Sequence, residues 1–382
     1  MGGDPNTPED FYVSVSGDDQ NPGTEALPFR TIYKAGSKSN LGYTIYIRDG
    51  TYAESITNIP SGVTLKNYTG ENPVIQPPAS SGYVLYEENT SGVVANGLVL
   101  DATNVTYDCV KVTGTSVNCQ LLNSEIKNAP GQGVLNGGAA NGLIIDNCHI
   151  HHNGTSAQLD HGVYSGQTGI IIRNCEIDHN ASRGLHFWAG PDYATIDVHN
   201  NYIHDNGAQG IGCYYGRSTI VNNVIRRNPY GIMLMYDPAY SLVANNTCTE
   251  ATNADIEIST LGANAVDLNI INNACFSDGS KPFGIVIAPS TSATGTINVK
   301  NNLSDGHSTN DYLATTPEGA IVPTLSDNQW DVEFTPITDD TADVIDPGVG
   351  NPVIGTGLYL SNVLTDYAGV SRSNPPSIGA YE

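Results

Sequence analysis

Two short hydrophobic patterns alternate along the middle of the chain. The first is a glycine followed by an apolar residue that opens a short strand. It occurs at Gly133-Val134-Leu135, Gly162-Val163-Tyr164, Gly184-Leu185-His186, Gly210-Ile211-Gly212, Gly231-Ile232-Met233 and Gly284-Ile285-Val286. Asp255-Ile256-Glu257 fills the gap without the glycine. The glycines lie 29, 22, 26, 21 and 53 residues apart, the last interval spanning two repeats. The second pattern is Asn-x-x-Ile, at Asn147-Cys148-His149-Ile150, Asn174-Cys175-Glu176-Ile177, Asn200-Asn201-Tyr202-Ile203 and Asn222-Asn223-Val224-Ile225. It continues in relaxed form at Asn245-Asn246, Asn272-Asn273 and Asn301-Asn302. Short apolar runs broken by Gly and Asn predict strands joined by tight turns. Residues 31–39 form the one stretch that reads as a helix.

Two strand signals per repeat exclude helical solenoids, and the Leu-x-x-Leu-x-Leu consensus of leucine-rich repeats is missing. A right-handed parallel β-helix accounts for both columns: an all-β, single solenoid of about ten or more coils. Each coil rises about 4.8 Å, so equivalent residues sit above one another. A buried Asn at a turn can then bond its neighbours up and down the stack. Asn also tolerates the left-handed backbone of sharp turns. We expect one domain over residues 1–382: an N-terminal cap region (1–60) with the short helix, central coils (61–306), then C-terminal coils and cap (307–382).

Composition agrees. Glycine is abundant (41 residues) and only 14% of residues are charged. The net charge of −24 lacks the basic stripe of a nucleic-acid binder, so no nucleic-acid partner is expected. No apolar run is long enough to span a membrane as a helix. Of seven cysteines none forms a Cys-x-x-Cys pair, and Cys148 and Cys175 read as stacked core residues.

The opening runs Phe11-Tyr12-Val13-Ser14-Val15-Ser16-Gly17-Asp18-Asp19, then Pro28-Phe29-Arg30-Thr31-Ile32 and Tyr43-Thr44-Ile45-Tyr46-Ile47. The close runs Asp366-Tyr367-Ala368-Gly369, Arg372 and Ile378-Gly379-Ala380-Tyr381-Glu382. In these residues the chain resembles secreted right-handed parallel β-helix proteins, including polysaccharide lyases of the pectate and alginate/chondroitin types. The resemblance implies a fold more than a reaction. Polygalacturonase-type Asn-Thr-Asp, Asp-Asp and Arg-Ile-Lys sets are missing. So are the calcium-binding Asp cluster of pectate lyases and the Asp-Pro-His motif of mannuronan epimerases, for which Asp237-Pro238-Ala239 lacks the histidine. Met1-Gly2-Gly3-Asp4 reads as a start from which a targeting segment was removed, and a secreted, extracellular bacterial location is expected.

Strands alternate in and out. With Val134, Val163, Leu185, Ile211, Ile232, Ile256 and Ile285 inward, the next residues face out: Lys111, Leu135, Tyr164, His186, Gly212, Met233 and Glu257. A second outward column holds Trp188, Tyr214 and Met235, and glycine-flanking positions add His161, Arg183, Gln209 and Tyr230. Longer inserts supply Asp160, Asp192, Tyr215, Arg217, Tyr236 and Tyr240. Aromatic faces bind sugar rings, while His, Tyr and Arg move protons and stabilise charge. The bland alternative is that loops cover these aromatics as a satellite core. The outward face of the Asn-x-x-Ile strands, with His149, His151, Glu176, Asp178 and His204, reads as solvated repeat positions rather than a metal site.

The expected function is a polysaccharide-degrading enzyme, a lyase that cleaves a uronic-acid polysaccharide by β-elimination. His161, Tyr164, Arg183 and His186 are the candidate catalytic residues. Either histidine serves as base, with Tyr164 as acid or the reverse, and Arg183 meets the carboxylate. Lys111, Trp188, Asp192, Tyr214, Tyr215, Arg217 and Tyr236 are candidate substrate contacts. Alternatives are a glycoside hydrolase using paired carboxyls from Asp160, Asp192 and Glu257, a uronate C5-epimerase, and a non-catalytic carbohydrate-binding or adhesin β-helix. No cofactor is required, Ca2+ remains open, and no metal ligands are assigned. The expected partner is an anionic polysaccharide bound by a monomer.

Overall fold

The computed structural model describes residues 10–188, 195–238, 240–261, 267–330 and 355–381. It comprises two compact units, Met1–Ile171 and Ile172–Glu382. Both are built from coils of three short strands, and equivalent strands of successive coils pair in parallel. Among the described residues the one helix is Ile32–Lys38, with Thr31 as N-cap accepting from the Lys34 amide. Its buried face, Ile32, Ala35 and Gly36, packs on the strands Asp10–Val13 and Thr44–Ile47, covering that end of the core. No described helix is long and apolar enough to cross a membrane.

One coil of the second unit shows the plan. Strand Thr195–His199 lies in the first sheet, Tyr202–His204 in the second and Gln209–Tyr215 in the third. The first corner takes two residues, 200–201, and the second four, 205–208. The leading one is left-handed: Asn200 (φ 58°) at the first corner, Asp205 (φ 53°) at the second. The following one is a fully enclosed asparagine, Asn201 or Asn206. At the first corner these buried amides form a continuous ladder. Asn201 donates to Asn223 (2.9 Å), Asn223 to Asn246 (2.9 Å), Asn246 to Asn273 (3.0 Å), Asn273 to Asn302 (2.9 Å) and Asn302 to Asn328 (3.0 Å). Each also donates to backbone carbonyls, for example Asn246 to Ile220 and Ala244. A shorter ladder, Asn180–Asn206–Asn228, runs up the second corner. In the first unit Ser124 and Cys148 hold the inner corner position, and the left-handed Asn96-facing column pairs outside instead, Asn147 to Asn123 and Asn123 to Asn96.

Inside, aliphatic columns stack in register. Ile211, Ile232, Ile256 and Ile285 form one column, and Cys213, Leu234, Ile258 and Ile287 the next. All are enclosed, as are Val134, Val163 and Leu185. All seven cysteines are buried free thiols. One inward column carries polar groups: Asn136 donates to Ser165 inside it, and Glu87 sits 1% exposed, accepting from the Ile59 amide and the Thr90 hydroxyl. Burial pushes its carboxyl up to about 7.

Residues 355–381 lie along the side of the second unit. The leading corner asparagines hold them: Asn222 donates to Thr365, Asn245 to Ser377, Asn272 to Leu358 and Asn301 to Thr356. Ile378 and Ala380 pack against Tyr202, Val224, Ala274, Phe276 and Leu303. The Asn-Asn doublet thus divides its labour, one residue for the tail and one for the inner ladder.

Candidate functional site

The third sheet of the second unit carries the aromatic cluster. Leu185 and Phe187 point inward, so His186 points out between them. In register above it come Gly212 and Met233. Gly212 leaves little room above His186: a Cβ there would meet Arg183 Cδ at 3.3 Å and Tyr214 Cε2 at 3.4 Å. The Arg183 side chain passes close to Gly212. Arg183 Nη2 donates to the Tyr214 hydroxyl at 2.8 Å, and its guanidinium lies 5.4 Å from the Tyr214 ring centre.

Around this pair the rings close up. His186 meets Tyr214 edge-on at 5.0 Å and Trp188 at 6.2 Å. Trp188 lies 5.0 Å from Tyr214, 5.6 Å from Tyr215 and 5.8 Å from Tyr236. Tyr215 and Tyr236 stack nearly parallel at 5.2 Å. Strict alternation would send Tyr214 and Tyr215 to opposite faces. Register shifts between Cys213 and Tyr215, and between Met235 and Tyr236, bring them together. Bulges re-aim side chains in this way and recur beside functional sites. Tyr236 itself is left-handed (φ 56°), a costly state for a bulky residue.

The outward column is less solvated than alternation implies. His186 is 7% exposed, Tyr214 6% and Met233 5%, whereas Trp188 is 43% exposed. The aromatic roof shields the residues beneath it, so the rings serve as cover and as surface at once. Gln209 donates to the Met233 sulfur at 3.3 Å, and its buried Oε1 has no hydrogen-bond partner.

Each remaining candidate has its own local setting. In the first unit His161 is buried and stacks on Tyr164 at 5.9 Å. Burial raises the Tyr164 phenol above its ordinary value. The His161 amide donates to Gln132 Oε1. Lys111 lies beside Tyr83, Nζ to hydroxyl 3.2 Å. Arg217 is exposed and stacks on Tyr240, 4.6 Å from the ring centre. Asp192 falls outside the described residues. Asp160 accepts from the Thr155 and Ser156 amides through Oδ2. It braces its own loop, which weighs against a hydrolytic role. The cluster offers imidazole, phenol and guanidinium groups, not the oxygen-rich shell Ca2+ takes.

A polar constellation outside these calls is His307. Its side chain is enclosed, with Nδ1 2.6 Å from Asp311 and Nε2 3.0 Å from Asp255. His307 lies beyond the last glycine-led strand, so the repeat gave no cue to it.

The sequence pattern of the right-handed β-helix region family matches residues 88–240 and 192–328. The chain belongs to that family. This β-helix is also 31% identical over 132 residues to the uncharacterized protein YwoF of Bacillus subtilis (strain 168). The match covers 31% of this chain and 28% of that protein's length. Among solved structures, pectate lyase Pel9A is similar at 14% identity, over 99% of this chain and 97% of its own, with a TM-score of 0.59. XylC in complex with xylose is similar at 11% identity, over 97% and 98%, with a TM-score of 0.65. The A-module of the Azotobacter vinelandii mannuronan C-5 epimerase AlgE6 is similar at 15% identity, over 77% and 92%, with a TM-score of 0.54. At such identities the likeness is one of fold.

Proposed function

We propose that this β-helix is an extracellular carbohydrate-active enzyme, a lyase that cleaves a uronic-acid polysaccharide by β-elimination. One observation carries the reading: Arg183 and His186 both contact Tyr214, beside a wall of Trp188, Tyr215 and Tyr236. Aromatic walls suit sugar faces, and the three polar groups match the three demands of elimination. The resemblance in fold to a pectate lyase and a mannuronan C-5 epimerase supports the same substrate class.

In the proposed reaction Arg183 neutralises the uronate carboxylate and acidifies the C5 proton. His186 takes that proton. The C5–H electrons form the C4=C5 double bond, the C4–O bond breaks, and the leaving oxygen takes a proton. Tyr214 is suited to give it: its oxygen accepts from Arg183, so its own hydrogen is left to donate. His161 and Tyr164 form a second His–Tyr pair and remain candidates for the same roles. Trp188, Tyr215 and Tyr236 contact the sugar, with Arg217 as an outlying contact.

The test is a panel of anionic polysaccharides read by ultraviolet absorbance of the unsaturated product. His186→Ala and His161→Ala are each expected to abolish turnover without unfolding the chain. Full activity in both would show that the site is misplaced. New reducing ends without absorbance would replace elimination by hydrolysis, and binding without product would leave a carbohydrate-binding module.

A further inference from the structure

The first unit carries an aromatic surface that the elimination chemistry does not use. Tyr83 and Tyr86 stack at 5.1 Å with an interplanar angle of 22°. Tyr107 joins Tyr83 at 5.7 Å and is 57% exposed. Lys111 completes the group. Its Nζ is 3.2 Å from the Tyr83 hydroxyl, 5.2 Å from that ring's centre and 6.0 Å from that of Tyr86. Lys111 pairs in register with Tyr86 on the adjoining strand, Leu85–Glu88.

The backbone beneath is fixed. The Tyr107 amide donates to Gly82, and the Tyr107 carbonyl accepts from Gly131. The platform is therefore held by the inter-coil ladder rather than by a mobile loop. Lys111 makes no salt bridge among the described residues. Its neighbours of opposite sign are Asp108, a buried carboxyl that accepts from the Gln132 amide, and Glu88, which contacts the Tyr86 phenol. In a chain of net charge −24, an ammonium held over tyrosine faces is a place where an anionic group can be received. A sugar ring needs an apolar face to lie on and a uronate adds one carboxylate; Tyr107 and Lys111 supply both complements.

We propose that Tyr83, Tyr86, Tyr107 and Lys111 form a second glycan-binding platform that takes a uronate residue, its ring on Tyr107 and its carboxylate on Lys111. The inference rests on the carbohydrate reading above and extends it to a site with no role in bond cleavage.

Affinity electrophoresis of the full chain through gels containing polygalacturonate, alginate or neutral xylan tests it. Tyr107→Ala and Lys111→Gln are each expected to weaken retardation by the uronate polymers roughly three- to tenfold. Tyr107 is exposed enough for its truncation to spare the fold, which near-ultraviolet circular dichroism checks. The Lys111→Gln effect should fade at high salt. Retardation by uronates that both platform variants retain in full overturns the platform. An equal loss on xylan overturns the carboxylate contact. No retardation by any polymer overturns the carbohydrate reading itself, and the platform with it.

Discussion

Removing the His307 imidazole should produce the largest single loss of stability in the second unit. The side chain is enclosed and touches two carboxylates, Asp311 at 2.6 Å and Asp255 at 3.0 Å. Burial opposes protonation, but the two carboxylates outweigh it and hold the imidazole above its ordinary value. Burial likewise raises Asp255, to about 6. We place the proton on His307, because one imidazolium serves both carboxylates at once. His307→Ala strands two buried acids, and breaking a buried pair in this way costs about 3–5 kcal/mol. The pH dependence has a definite sign. A raised folded value for histidine means its stabilisation is complete below the ordinary value of 6.5 and is lost as pH rises through the higher folded value. Asp255, also raised, loses stability in the same direction as pH passes 6. Urea unfolding from pH 5.5 to 9, with hydrogen exchange in strand Phe283–Ala288, would read both effects. The parent should soften towards alkaline pH, and His307→Gln should be weaker at pH 6 and show a flatter profile. A His307→Ala loss below about 1 kcal/mol, or an unchanged pH slope in His307→Gln, would refute the buried imidazolium.

Two further outcomes follow from the corner asparagines. Asn246→Ala removes the donor to Ile220, Ala244 and Asn273 and the acceptor for Asn223. At about 1–3 kcal/mol per buried group left unpaired, a loss of about 3 kcal/mol or more is expected in denaturant unfolding, with Asn246→Asp recovering little. Arg372→Ala removes donors to Asn222, Ser377, Gly379 and Ala380. Limited proteolysis should then cut within residues 355–381 faster than in the parent, while the coils persist; an unchanged cutting rate would mean the tail is held by its apolar contacts alone.

The coil plan was legible because it repeats. The glycine-led strands gave the inward column from Val134 to Ile285, and Thr31 with the residues after it gave the helix. The asparagines gave the corners but not their division of labour. Asn222 and Asn223 are adjacent and chemically identical, yet one reaches the tail and the other the inner ladder. That split depends on which residue takes φ near +56°, a property of the folded corner rather than of the residue type. His307 stayed hidden for a related reason: Asp255 lies 52 residues away, and Asp311, four residues on, falls in the next strand, where no spacing rule of the repeat joins them.

The aromatic site shows where alternation stops being a guide. A period of two assigns Tyr214 outward and Tyr215 inward, and it gives His186 free access to solvent. The register shifts after Cys213 and Met235 cancel that assignment and gather Tyr214, Tyr215 and Tyr236 on Trp188. A bulge costs pairing and a left-handed Tyr236 costs backbone energy, so packing alone would favour a regular strand here. The regular register is the one the inner isoleucines keep on either side. The departure is confined to the strand ends that carry the rings, and it is the feature that gathers those rings against Trp188 beside Arg183 and His186. Restoring regular pairing by deleting one residue of the Tyr214–Tyr215 pair should therefore leave the coils folded and disperse the site, whereas substituting either ring alone should only thin its wall.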